Sequence, residues 1–150
     1  MSGMCELPRH QATDQEVERI LQAHRVVAVV GLSPKPHRDS FQVARYLQEQ
    51  GYTIIPVNPN CREVLGERCY PSLADVPTPV DIVDIFRKPE AVPEIVEAAI
   101  AARAKVIWMQ LGIVHNEAAD KALAHGLDVV MGKCIKVEHM RTRSGKGPTR

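Results

Sequence analysis

The stretch Gly31-Leu32-Ser33-Pro34-Lys35-Pro36-His37-Arg38-Asp39-Ser40 gathers the groups that an anion requires. Gly31 permits a sharp exit from a strand and a close backbone approach. Ser33 and Ser40 bring hydroxyls, and Lys35 and Arg38 bring positive charge. A helix opening at Ser40 would aim its unpaired amides and the positive end of its dipole at the same space. Together these suit a phosphate or a diphosphate. Taken singly, Lys35 and Arg38 are ordinary solvated side chains. Their coincidence with a helix start carries the reading.

Three further segments follow apolar runs: Asn58-Pro59-Asn60, Phe86-Arg87-Lys88 and Gln110-Leu111-Gly112-Ile113-Val114. The Gly-x-Gly-x-x-Gly fingerprint of dinucleotide sites is missing after the first run. So is the acidic residue that such sites place near the end of the second strand. That position reads Val57-Asn58-Pro59, and no carboxylate follows until Glu63. Arg38, Arg62, Arg87 and Lys88 make the neighbourhood basic instead. A nucleotide with an extra ribose phosphate fits this balance. CoA carries one at the 3′ position and NADP at the 2′ position.

Groups able to do covalent or acid–base chemistry are scattered. His115 follows the fourth apolar run and is the best-placed candidate acid or base, but no partner triad accompanies it. A helix-start surface histidine is the simpler reading. Cys134 precedes a helix start, where a thiol can be activated or form a mixed disulfide with a thiol ligand. A small buried hydrophobe is the plainer role. Asp81 and Asp84 could suggest paired acids, yet burying both is costly, and Asp84 reads as a satisfied structural group. Cys61 and Cys69 fit no common zinc-ligand spacing, and Cys5 stands apart. No Gly-x-Ser-x-Gly elbow, Walker loop or metal-binding helix is present. The expectation is no catalytic residue and no metal.

The elements that must position these groups alternate. Thr13 to His24 predicts a helix opened by a Thr13/Glu16 capping box. Val26 to Leu32 (VVAVVGL) predicts a strand buried on both faces. A helix capped by Ser40 runs through Gln50 and closes at Gly51. Strands follow at Tyr52–Val57, Val80–Phe86, Val106–Leu111 and Leu127–Met131. Between them lie a helical turn at Leu73–Val76, a helix to about Ala104 and a helix at Asn116–His125. Cys134 to about Met140 forms a short closing helix. This alternation predicts an α/β fold with a doubly wound parallel five-stranded sheet. The expected order is 3-2-1-4-5, with the ligand crevice between the first and fourth strands. Residues 1–140 read as one domain. Residues 141–150, basic and without apolar members, read as a disordered tail.

Composition narrows the function classes. The 150 residues carry a net charge of +1, which argues against a nucleic-acid partner. Aromatics at 4% give no base-stacking platform. No apolar stretch is long enough to span a membrane. No signal pattern opens the chain, and the scattered cysteines suit reduced thiols, so a cytoplasmic protein is expected.

Four segments carry a family resemblance: VVAVVGLSPKPHRDS, IIPVNPN, VLGERCYPSLADVPTPVDIVDIFRKPEAVPEIVEAAI and MGKCIKVEHMR. Across about Val26 to Arg141 the chain resembles the small stand-alone CoA-binding proteins. These are similar to the N-terminal CoA-binding domain of the succinyl-CoA synthetase α-subunit. The resemblance implies a Rossmann-like fold that binds CoA or an acyl-CoA without catalysis of its own. It implies that Gly31, Ser33, Lys35, Arg38 and Ser40 wrap the diphosphate. Val57, Asn58 and Pro59 would lie beside the adenosine. Phe86 and Arg87 would cover the adenine and its ribose phosphate. Gln110, Leu111, Gly112 and Ile113 would line the pantetheine path. The chain departs from the family at His37 and Asp39. Two alternatives stay open: an accessory subunit of an acyl-CoA ligase or transferase, and an NAD(P)(H)-sensing module. A homodimer or a separate catalytic partner chain also stays open.

Overall fold

Val26–Val30, five residues with four of them buried, form strand β1 at the pivot of the sheet. A run of β-branched residues suits a strand covered on both faces. In the computed structural model, which describes residues 6–146, β1 pairs in parallel with β2 (Thr53–Val57) on one side. On the other side it pairs with β5 (Ile82–Ile85). β6 (Val106–Met109) and β7 (Asp128–Met131) continue the sheet, all parallel, in the order β2-β1-β5-β6-β7.

The five-stranded parallel α/β sheet is as expected, but its order is not. Counting only main-sheet strands, it is 2-1-3-4-5 rather than 3-2-1-4-5. Pro56 supplies the physical reason. Within β2 the Val57 carbonyl faces β1, where it accepts from the Gly31 amide, so Pro56 faces outward. Its carbonyl accepts from Tyr70 there. A proline has no amide to donate, so β2 belongs at an edge and could not sit between two strands. The winding therefore reverses between β1 and β5, not between the first and fourth strands.

The connection from β2 to β5 holds no α-helix. It is an arm made of a small antiparallel hairpin, β3 (Glu63–Val64) and β4 (Glu67–Arg68), and a 3-10 turn at Leu73–Asp75. Leu65 and Gly66 both have positive φ, 57° and 78°, as a two-residue hairpin turn of the twist-compatible kind demands. This hairpin was not anticipated from the sequence.

Alternation along the strands divides the core. Ala28, Val30, Val83, Ile85, Ile107 and Met109 face α3 (Val92–Ala101) and α4 (Asn116–Ala124). Val27, Val29, Ile82, Val106 and Trp108 face α1 (Asp14–Ala23), α2 (Asp39–Glu49) and α5 (Ile135–Lys146). The Trp108 indole is fully buried and donates to the Lys133 carbonyl at 2.8 Å, which ties β6 to the entry of α5.

α5 is longer than the sequence reading, which ended it near Met140 and left 141–150 as a tail. Residues 141–146 are helical. Arg141 pairs with Glu138 and reaches Asp14 of α1 at 3.4 Å. Arg143 donates to Gln50 beyond α2, and the Tyr46 hydroxyl meets His139 Nδ1 at 2.7 Å. Docking by polar side chains leaves no apolar period to read. Residues 147–150 of that expected tail lie outside the described residues, as does Cys5.

The capping box of α1 is as expected: Thr13 Oγ1 accepts from the Glu16 amide at 3.1 Å, and Glu16 accepts from the Thr13 amide at 2.7 Å. Replacing Thr13 with Ala should cost about 1 kcal/mol of unfolding free energy in urea titrations.

Candidate functional site

Three strand ends are stitched together at the switch point. Gly31, with φ of 91°, donates its amide to the Val57 carbonyl at 2.9 Å. Phe86 donates to Val30 at 2.9 Å. A Cβ on Gly31 would stand 2.5 Å from the Phe86 carbonyl oxygen and 3.0 Å from Arg87 Cδ. The Arg87 side chain therefore lies over the first loop, although the two are far apart in sequence. Asn58 Nδ2 donates to the Leu32 carbonyl at 2.8 Å, and Asn58 Oδ1 accepts from the Asn60 amide at 2.8 Å. The second loop is thereby fixed against the first.

The first loop holds its own shape. Ser40 Oγ accepts from the Ser33 amide at 2.9 Å, and Ser33 Oγ accepts from the Lys35 amide at 3.1 Å. The Lys35 carbonyl accepts from Arg38 at 3.0 Å. Gln42 closes the loop by donating to the Pro36 carbonyl. Ser40 is not the helix cap that the sequence suggested. α2 begins at Asp39, its N-cap is Arg38, and no side chain caps it. Ser40 is buried because its hydroxyl fastens the loop to the helix. The first-turn amides of Asp39, Ser40 and Phe41 have no carbonyl one turn back to accept them. They point out of the helix end beside the exposed Lys35 and Arg38. Asp39 is exposed at the first turn of α2.

The end of β6 divides its residues. Gln110 is buried; its amide nitrogen donates to Asp84 Oδ1, and its oxygen accepts from the Ile135 amide at 3.4 Å. It joins β5, β6 and the start of α5. Leu111 instead stands 73% exposed. Gly112 has φ of 83°, and the Ile113 amide turns back to the Gln110 carbonyl at 2.8 Å. The corner thus unites Gly31, Ser33, Ser40, Val57, Asn58, Phe86 and Arg87 by direct contacts. Gln110 serves the interior, while Leu111 and Ile113 form the rim at the neighbouring strand.

Asp84 is fully buried, and its Oδ2 has no hydrogen-bond partner. Burial raises its acid range to about 7, opposed by the Gln110 hydrogen bond. It forms no pair with Asp81, which accepts the Arg25 and Val26 amides at 3.2 and 3.1 Å. His115 is the N-cap of α4, and its Nδ1 accepts from the Ala118 amide at 3.1 Å. That contact is the helix-start role. Cys134 is half-buried, and its carbonyl accepts from Glu138 in the first turn of α5. Among the described residues no group of three or more acidic, Cys or His side chains could hold a metal. No described helix is long and apolar enough to cross a membrane.

A cleft of about 440 Å³ lies near the opposite, amino-terminal ends of β1 and β2, lined by Val26, Thr53, Ile55, Tyr70, Thr78 and Pro79. It opens where the arm replaces a covering helix. Its walls are mostly apolar, with Glu67 and Arg68 at the hairpin side, and it lies away from the start of α2.

This chain is a parallel α/β domain with an anion-compatible corner, and over residues 25–140 it matches the CoA binding domain family, to which it belongs. It is 42% identical over 128 residues to the uncharacterized protein YneT of Bacillus subtilis (strain 168), covering 85% of this chain and 95% of that protein. It is 30% identical over 121 residues to acetate–CoA ligase (ADP-forming) I of Archaeoglobus fulgidus, covering 74% of this chain and 18% of that enzyme. A hypothetical protein from Pyrococcus horikoshii OT3 superposes with a TM-score of 0.85 at 44% identity, covering 91% of this chain and 96% of that one.

Gly31→Ala should lower unfolding free energy by roughly 2–4 kcal/mol, since the added methyl meets backbone at a positive φ. A larger loss than for Gly51→Ala, where a Cβ meets nothing within 4 Å, would separate the clash from the φ cost. Asp84 has a folded acid range above its unfolded one. Its contribution to stability is therefore present below about pH 4 and is lost as pH rises towards about 7. In Asp84→Asn, the fall in stability between those limits should flatten by up to about 1.4 kcal/mol per pH unit, read by denaturant midpoints against pH.

Proposed function

We propose that the chain binds CoA or an acyl-CoA at the carboxyl ends of β1, β2, β5 and β6, acting as one ligand-binding domain. The observation that supports this reading most strongly is the uncapped start of α2 beside Lys35 and Arg38, with Arg87 laid over Gly31. The α2 amides and the Ser33 and Ser40 hydroxyls would hold the diphosphate. Each hydroxyl already accepts one loop amide and keeps its proton to donate. Arg87, and Lys88 beside it, would take the ribose phosphate, a planar fork and a point charge suited to that group. Val57, Asn58 and Pro59 would border the adenosine, with Phe86 against the base. Leu111, Gly112 and Ile113 would guide the pantetheine arm, with Gln110 beneath holding the strand end in place. No carboxylate stands at the end of β2, where the adenosine ribose of NAD would need one, which disfavours NAD.

The chain itself would supply recognition, not turnover. One observation favours a second reading, an accessory role beside a ligase or transferase. The acetate–CoA ligase relative is far longer than this chain. In that reading thioester turnover appears only when a catalytic partner chain is added.

Calorimetry with CoA, dephospho-CoA and NAD tests the assignment. CoA should bind tightest, and dephospho-CoA roughly 10-fold or more weaker, since a charge-assisted contact contributes about 1.5–3 kcal/mol. Tighter binding of NAD than of CoA would end the CoA reading, and equal affinity for CoA and dephospho-CoA would remove Arg87 from it. Lys35→Glu places a repelling charge on an exposed side chain, so affinity should collapse while the melting temperature holds.

A further inference from the structure

The arm between β2 and β5 carries two thiols that the CoA reading does not use. Cys61 stands two residues before the hairpin and Cys69 immediately follows it, and their sulfurs are 2.9 Å apart. The hairpin register sets this approach. Glu63 pairs with Arg68 and Val64 with Glu67, and the Cys69 amide donates to the Arg62 carbonyl at 2.7 Å. The turn at Leu65-Gly66 holds that register by its two positive φ angles. Cys61 is half-buried, whereas Cys69 is buried.

We propose that Cys61 and Cys69 are a redox-active dithiol, a covalent modification site that a low-molecular-weight disulfide converts to an intramolecular disulfide. A disulfide bond is about 2.0 Å long, so the sulfurs must close by only about 1 Å. The accessible thiol is the entry point. Cys61 loses its proton and attacks one sulfur of the disulfide RSSR, giving a mixed disulfide and releasing RS⁻, which takes up a proton. Cys69 then loses its proton and attacks the Cys61 sulfur, and the second RSH leaves. The sum is two protein thiols plus RSSR giving one protein disulfide plus two RSH, so the thiols are oxidised and RSSR is reduced. Burial, and then the hydrogen bond with Cys61, push the Cys69 thiol up to about 12, so Cys69 is not the thiol that attacks first.

The cross-link would close a ring in the arm. That arm is fixed to β2 by the Tyr70 amide on Pro56 and the Asn58 amide on Tyr70. The chemistry does not rest on CoA binding, so glutathione disulfide serves as the probe. The full chain is incubated with it, free thiols are blocked, and trypsin cuts after Arg45, Arg62, Arg68 and Arg87. Cys61 and Cys69 then fall in separate peptides, 46–62 and 69–87, which only a disulfide can join. The expected result is this linked pair, lost on adding dithiothreitol. Cys69→Ser should stop at a glutathione adduct on peptide 46–62, and Cys61→Ser should leave Cys69 unmodified. Recovery of the two wild-type peptides unlinked, with or without glutathione attached, would overturn the proposal.

Discussion

At Gly31 the chain leaves β1 so close to the Phe86 carbonyl that there is no space for a side chain. The contact lies where the winding of the sheet reverses, and three strand ends meet there. Gly31 binds the Val57 carbonyl, Phe86 binds the Val30 carbonyl, and Asn58 binds the Leu32 carbonyl. Open parallel sheets bind ligands at such a point because the loops diverge and leave a crevice outside the strand ends. Here the crevice is shaped by backbone. Side chains only complete it, with Ser40 bracing the first loop from within and Arg87 lying across it from β5.

A second constraint acts beneath the neighbouring strand ends. Asp84 and Gln110 are polar groups in an otherwise apolar layer with Val29 and Trp108. Gln110 satisfies one oxygen of Asp84 and takes the first amide of α5. Buried polar links of this kind are costly unless paired, and they restrict the ways in which elements can dock. Burial is why the charge of Asp84 is resisted and its acid range is raised, and the one Gln110 hydrogen bond only partly opposes it.

The arm from β2 to β5 shows what happens when a crossover lacks its helix. The hairpin and the 3-10 turn cover the outer edge of β2 only near its carboxyl end, through the Val57–Tyr70 bridge. The amino-terminal half keeps an open, mostly apolar cleft. The same arm sets Cys61 against Cys69 and holds Asn58 and Asn60 in place beside the first loop. One segment thus borders both the strand-end corner and a pair of thiols.

Local physics made much of this legible in advance. The apolar run at Val26, the capping box at Thr13 and the stops at Gly51 and Gly126 declare their elements, because strand burial, helix capping and left-handed ends are properties of neighbouring residues. The grouping of Ser33, Lys35, Arg38 and Ser40 around a helix start is likewise local, and the proposed anion reading rests on it. Strand order, the burial of Gln110, the lateral reach of Arg87 and the helical state of residues 141–146 depend on partners distant in the chain, and no local period encodes them. Pro56 is the exception, since its missing amide already excluded a central β2. What the sequence by itself determined was the five main strands, the helices between them and the residue types at their ends. Which ends meet was decided only by tertiary packing, because hydrogen bonds between strands and contacts across the sheet join residues that share no neighbourhood in the chain.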